Sequence, residues 1–411
     1  MKKVLFIVIA LIFLFSSLNL SDLLPVKGVF FVYALVSSLI IVPIFYKNKN
    51  LRINTVVLTF TYLFFLFCAI SALINDDVGG ILDSAFLVLL FVVTLTVIPS
   101  IDFNINKVVF YGVILSHIPV LLVPYLLYGI DTMPYHGIFF NPNSVGTVSA
   151  TVFIVVFSVV LVKLEGIIAG RVERFYKSKL LLAGIVLLGT FYLTILSGSR
   201  TSSLAVAISV AVGLFYLTVY SIKQKRFLGL MIRGGFIALV AAIIIFLVVR
   251  FTSLYETIYN SVVLKFVQTS GSGDLLSHRG IIWQKTINDA GFFGGGSEYF
   301  TNNISYGAHN TFINLIGNYG WLPLIAFALI VIYGFFRSVK YTFTSNDKYK
   351  YLPLLSVINF ISLSMAEVMI FTLSMLVMFF SLGSTLSKYE HQEKEVVLKT
   401  KTKKTRRKLV W

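Results

Sequence analysis

The sequence predicts an all-α polytopic membrane protein with about 12 transmembrane helices. Three observations lead there. Apolar residues make up 57% of the chain and charged residues only 12%, with a mean hydropathy of +0.90, whereas about a quarter of a soluble domain is charged. The apolar stretches are continuous over about 17 to 25 residues, the length a helix needs to cross hydrocarbon, and do not alternate over about 10 as barrel strands do. Finally, the polar residues gather in short connections and one long stretch, 255–310.

Charge or turn formers bound each expected span. The spans fall at 4–20, 28–46, 53–74, 81–97, 108–130, 144–164, 180–196, 201–222, 234–254, 311–336, 352–366 and 368–386. The last two read as a hairpin turning at Glu367; read as one kinked span, they move the C-terminus to the other side. Lys2 and Lys3 ahead of 4–20 resemble the start of a secretory signal, but no small-x-small cleavage site follows, so that run is expected to remain as the first span. Cys68 falls within 53–74 and reads as a small buried apolar residue.

Positive residues collect on the cytoplasmic side of membrane proteins. With twelve spans and a cytoplasmic N-terminus, every Lys and Arg falls inside except Lys27, Arg200, Arg250, Lys265, Arg279 and Lys285. Both termini are therefore expected in the cytoplasm. Residues 1–387 form a single transmembrane helical domain, 255–310 its large extracytoplasmic loop, and 388–411 a basic cytoplasmic tail. The net charge of +17 is then mostly a matter of topology. The tail suits anionic membrane lipids, and with no aromatic interleaving beside its lysines no nucleic-acid partner is expected. Few ionisable groups interrupt the spans, which weighs against an ion-coupled transporter.

The chemistry is expected outside. Loop 255–310 carries Asp274, His278, Arg279, Trp283, the glycines Gly294, Gly295 and Gly296, Glu298 and His309. Arg200 closes the turn Ser197-Gly198-Ser199-Arg200, whose hydroxyls can cap the next helix and whose free amides suit an anion. Arg279 begins a run that reads as an amphipathic helix, and its guanidinium can fork onto a phosphate. Arg250, at the end of a span, is a third cation. His309, followed by Asn310 at the start of a helix, can take or give a proton near neutral pH; Glu298 is the other candidate base. Asn143 lies in the turn-rich stretch 137–143. No metal-binding spacing such as His-Glu-x-x-His occurs.

Gly137 with Asn141-Pro142-Asn143, Ser197-Gly198-Ser199-Arg200 with Leu204 in Arg-x-x-x-Leu spacing, Arg279 with Trp283, and His309-Asn310 followed by Gly320 together resemble the bacterial O-antigen ligase and polymerase family. Pro323 departs from the small residue that ligases of the family often carry there. The resemblance implies an enzyme of the bacterial inner membrane that works on the extracytoplasmic face without metal or cofactor. It would transfer glycan from an undecaprenyl-diphosphate-linked oligosaccharide to a glycan acceptor, with a flippase and a chain-length regulator as partners. His309, Arg279 and Arg200 would be catalytic, and Asn310, Ser199, Asn143, Arg250, Glu298 and Trp283 would bind substrate. Three functions stay open: a repeat-unit polymerase, a ligase passing finished glycan to lipid core, protein or wall, and a lipid-linked oligosaccharide flippase.

Overall fold

The computed structural model describes residues 2–21, 54–100, 104–130, 133–171, 176–226 and 279–386, with the single positions 229, 250, 256, 259 and 267. The expected span 28–46, the span 234–254 apart from Arg250, Asp274, His278 and the tail 388–411 lie outside the described residues. Among the described residues the protein is a helical membrane protein without β-strands.

Seven described helices are long and apolar enough to cross a bilayer. They are α2 (Thr55–Ile74), α3 (Val78–Val92, prolonged by a π turn at Val93–Val97 and a 3-10 turn at Ile98–Ser100), α4 (Ile105–Tyr128), α5 (Pro142–Ile168), α6 (Tyr176–Leu196), α7 (Arg200–Lys223) and α11 (Trp321–Thr344). Three apolar helices are shorter: α1 (Lys2–Leu18), α12 (Leu352–Ser364) and α13 (Leu373–Thr385). Between α7 and α11 stand α8 (Arg279–Asp289), α9 (Tyr299–Asn303) and α10 (Thr311–Tyr319).

Burial sorts these helices into a spine and a shell. In α5, 83% of the most apolar window is buried, against 22% in α6. Leu181, Leu182, Ile185 and Leu188 of α6 are exposed, as a lipid-facing surface requires. All 13 residues of α13 are buried. Asn359 of α12 donates to Thr151 of α5 (3.1 Å) and Ser374 of α13 (3.2 Å), so an amide binds the three central helices where apolar contact alone is a weak adhesive. The Asn359–Ser374 bond also packs α12 against α13, and Glu367 falls in the non-helical stretch between them; at 13 residues each, both helices are shorter than the expected spans 352–366 and 368–386. Phe64, Phe91, Phe327 and Phe379 knit α2, α3, α11 and α13 together.

The expected span 311–336 is broken. Gly320 at φ 92° separates α10 from α11, and a Cβ there would strike the carbonyl of Phe292. The stretch 292–296 lies on this break: Gly295 N donates to Gly317 O (2.8 Å) and Gly296 N to Asn318 O (3.1 Å). Gly294, at φ 66°, permits the approach, since its Cβ would meet Gly320 N at 2.7 Å. Apolar content joined α10 to α11 in the sequence; backbone contact from a distant loop divides them. The glycines thus pack the chain against itself.

Asp77, at the α2–α3 turn, completes this docking. Its carboxylate accepts from Ser297 N and from Ser297 Oγ (2.8 Å), and from Gly80 N (2.8 Å). Burial opposes its ionisation, but these bonds outweigh it and hold the carboxyl below its ordinary value of 3.8. At the opposite end of the bundle, Lys350 pairs with Glu165 (2.7 Å), Arg226 donates to Ile168 O (2.7 Å), and Asp347 accepts from Asn104 (2.8 Å) and Tyr341 (2.9 Å). Residues from four of the loops expected inside thus gather at one end.

Two outcomes follow from this packing. A Cβ on Gly146 of α5 would lie 2.7 Å from Ser197 Oγ and from Ser199 Cβ, so Gly146→Val is expected to cost about 1–3 kcal/mol of stability, measured by unfolding in mixed detergent micelles. Because the Asp77 carboxyl is depressed in the folded state, its contribution is complete above pH 3.8 and is lost as pH falls through the lower folded value. Hydrogen exchange should therefore show amides 294–299 losing protection on acidification, and Asp77→Asn should produce that loss already at neutral pH.

Candidate functional site

Four segments meet at the α12–α13 turn. Glu367 holds them. Its side chain, 13% exposed, lies 3.6 Å (Oε1) from Arg279 Nη2 and 3.5 Å (Oε2) from His309 Nδ1, and Asn143 Nδ2 donates to Oε1 at 2.7 Å. Arg279 also donates through Nη1 to Ala366 O (2.7 Å). An imidazole and a guanidinium from separate stretches of chain therefore share one carboxylate.

Local structure explains how each side chain arrives. Arg279 is the first residue of α8. Trp283, one turn later, donates from Nε1 to Ala308 O (2.8 Å) and so ties α8 to the residue before His309. Asn310 is the N-cap of α10: its Oδ1 accepts from Phe312 N (2.8 Å) and Ile313 N (3.1 Å), and its Nδ2 donates to Met365 O (3.0 Å). Thr311 Oγ1 donates to Glu367 O (3.0 Å) and accepts from Met369 N (2.8 Å). His309 itself stands at φ 45°, a left-handed conformation that costs a non-glycine residue about 1 kcal/mol or more and that persists here between two anchored neighbours.

Beside the cluster opens a cavity of about 230 Å³ lined by Asn141, Asn143, Ser144, Thr147, His309, Glu367 and Thr372, with Leu20 and Met369 among its apolar walls. Asn141 is the N-cap of α5 and accepts from Asn143 N (2.9 Å), so the spine helix points its N-terminus at this end. Phe140 N donates to Leu20 O (3.1 Å), which brings the end of α1 to the cavity wall.

Of the residues expected in a site, His309, Arg279 and Asn143 meet directly at Glu367, while Trp283 and Asn310 hold the segments that carry them. Ser199 is buried, as the N-cap of α7: its Oγ accepts from Ser202 N (3.3 Å) and lies 2.8 Å from Ser202 Oγ. Its hydroxyl is thus engaged in the cap. Arg200, half-exposed, is the first residue of α7, and its turn rests on Gly146, one helical turn along α5 from Asn143. Glu298 is exposed beside α9, with Asn302 Nδ2 at 3.5 Å, and does not line the cavity. Arg250 is exposed, and the chain on its C-terminal side lies outside the described residues. Among the described residues no group of three metal-ligating side chains occurs.

Glu367 was read from the sequence only as a turn. The available signal was a lone carboxylate between two strongly apolar runs, a costly placement unless a partner meets it. No protein-family model matches the chain, and no curated protein matches it.

The cluster makes its own prediction. Glu367→Ala should destabilise the protein by about 1–3 kcal/mol, since it strands the guanidinium and amide that faced the carboxylate, and Glu367→Gln should cost less because the amide oxygen still accepts from Asn143. Unfolding in mixed micelles measures both, and a cycle with Arg279→Ala isolates the ion pair.

Proposed function

We propose that the protein is a glycosyltransferase of the bacterial cytoplasmic membrane, active on the extracytoplasmic face, that polymerises surface-polysaccharide repeat units carried on undecaprenyl diphosphate. The observation that carries this reading is the meeting of Arg279 and His309 at Glu367, beside a cavity with both polar and apolar walls at the end of a helical bundle. A polyprenyl carrier must keep its tail in hydrocarbon while its sugar reacts in water. Basic and proton-accepting groups gathered at one end of the bundle answer that need.

In the proposed reaction the acceptor hydroxyl gives its proton to His309 as its oxygen bonds to the anomeric carbon of the donor glycan. The bond from that carbon to the diphosphate oxygen breaks on the opposite face, and undecaprenyl diphosphate leaves with the electron pair. Inversion follows. Glu367 orients the imidazole and stabilises it once protonated, as carboxylates do for catalytic histidines. Arg279 offers five N–H donors, of which the described contacts use those on Nη1 and Nη2, so the guanidinium can also meet the charge that develops on the diphosphate. Arg200, its turn packed on the first turns of α5, supplies the second cation. Asn143 joins the acceptor side to the carboxylate.

His309 is favoured over Glu298 as the base because it borders the cavity. The ligase reading uses the same donor chemistry and differs in acceptor. Purified protein mixed with a lipid-linked repeat unit should give a ladder of polymers, whereas a single adduct on an added acceptor would make it a ligase, and no consumption of donor would overturn both. Arg279→Ala and His309→Ala should each lower the transfer rate by about 10²-fold or more while the protein remains membrane-inserted, and Glu298→Ala should retain activity. Normal polymer length in the Arg279 variant would remove its role.

A further inference from the structure

We propose that the cavity beside Glu367 is the subsite for the attacking sugar and that it prefers an uncharged, hydroxyl-rich pyranose over uronic acids and phosphorylated sugars. This deepens the transferase reading and rests on it for the name of the ligand as acceptor. Three properties of the lining lead to it: size, hydrogen-bonding sense and charge.

The cavity encloses about 230 Å³. Open at its mouth, it has room for at least one six-membered ring with its hydroxyls. Leu20, Val368 and Met369 give it an apolar wall against which the C–H face of such a ring can lie.

The polar lining is rich in acceptors. Thr147 Oγ1 donates its proton to Ser144 O (3.1 Å) and Thr372 Oγ1 donates to Met369 O (2.8 Å), so both hydroxyls have only lone pairs left for a ligand. Glu367, when ionised, accepts only. His309 lines the cavity with its Nδ1 3.5 Å from Glu367 Oε2, which leaves Nε2 as the ring nitrogen available to a ligand. Asn141 and the second N–H of Asn143 supply the few donors. A ligand that brings many O–H groups satisfies this set, and one whose polar groups only accept does not.

Charge points the same way. The one carboxylate in the lining is Glu367, and Arg279, its ion-pair partner, is not part of the wall. A sugar carboxylate or phosphate placed in the cavity would meet that carboxylate, whose charge Arg279 only partly offsets from behind, with no lysine or arginine among the described residues of the wall to pair with it, and so is disfavoured relative to a neutral sugar.

The test uses the full chain in lipid nanodiscs and saturation-transfer NMR with methyl glucoside, galactoside and mannoside, each as both anomers, against methyl glucuronide and galacturonide. At least one neutral glycoside should bind more tightly than either uronide. Thr147→Phe, which fills the cavity, should abolish the signal in protein that remains inserted and monodisperse. Thr147→Val, which removes the acceptor together with the hydroxyl's bond to Ser144 O, should weaken binding about fivefold, the worth of one neutral hydrogen bond. Uronides binding as well as neutral sugars, absence of any glycoside binding, or binding unchanged by both variants would overturn the proposal. Consumption of a lipid-linked donor is assayed separately. Sugar binding as expected without donor consumption would leave the neutral-sugar site standing and remove the transferase reading, while polymer formation undiminished in Thr147→Phe would do the reverse.

Discussion

Burying a carboxylate at the end of an apolar bundle obliges the chain to surround it with partners, and the Glu367 end of this protein is arranged by that obligation. An ion withdrawn from water costs several kcal/mol unless charge and hydrogen bonds compensate it. Arg279, Asn143 and His309 provide the compensation from α8, α5 and the residues leading into α10. The turn bearing Glu367 is fixed in its own right, because Met365 and Ala366 offer carbonyls to Asn310 and Arg279, and Thr311 bonds on both sides of the turn. The contacts that compensate the carboxylate therefore also bring a proton acceptor and a cation to the edge of one cavity.

The spine helix α5 links this end to the other. Its first turn lines the cavity, and near its last turn Glu165 pairs with Lys350, so both ends are held by ion pairs and the middle by the Asn359 amide. The Glu165–Lys350 and Thr151–Asn359 contacts join elements far apart in sequence. Between them the helices pack through phenylalanine clusters and small residues, with Gly146 letting the α6–α7 turn sit directly on α5. Arg200 depends on that closeness for its place at the head of α7.

Much of the fold was legible from the chain because hydrophobic length is a local property. Among the described residues, seven helices long and apolar enough to cross a bilayer fall on expected spans, while α1, α12 and α13 are shorter, and Ser199 and Asn310 cap helices as short polar residues before apolar runs should. The break at Gly320 went unread although Gly320 followed by Pro323 is a local helix-stop signal; the packing of residues 292–296 against it is what a composition window cannot register.

The site divides in the same way. Residue type marked Arg279 and His309, since a guanidinium and an imidazole outside the spans are scarce and chemically capable wherever they fall; residue type equally marked Glu298, which the fold leaves exposed beside Asn302. Sequence alone thus determined a helical membrane protein and a short roster of reactive side chains. Tertiary structure alone decided which of them meet, because Glu367, Asn143, Arg279 and His309 are separated by long stretches of chain, and only the packing of α5, α8 and α10 around the α12–α13 turn sets their distances.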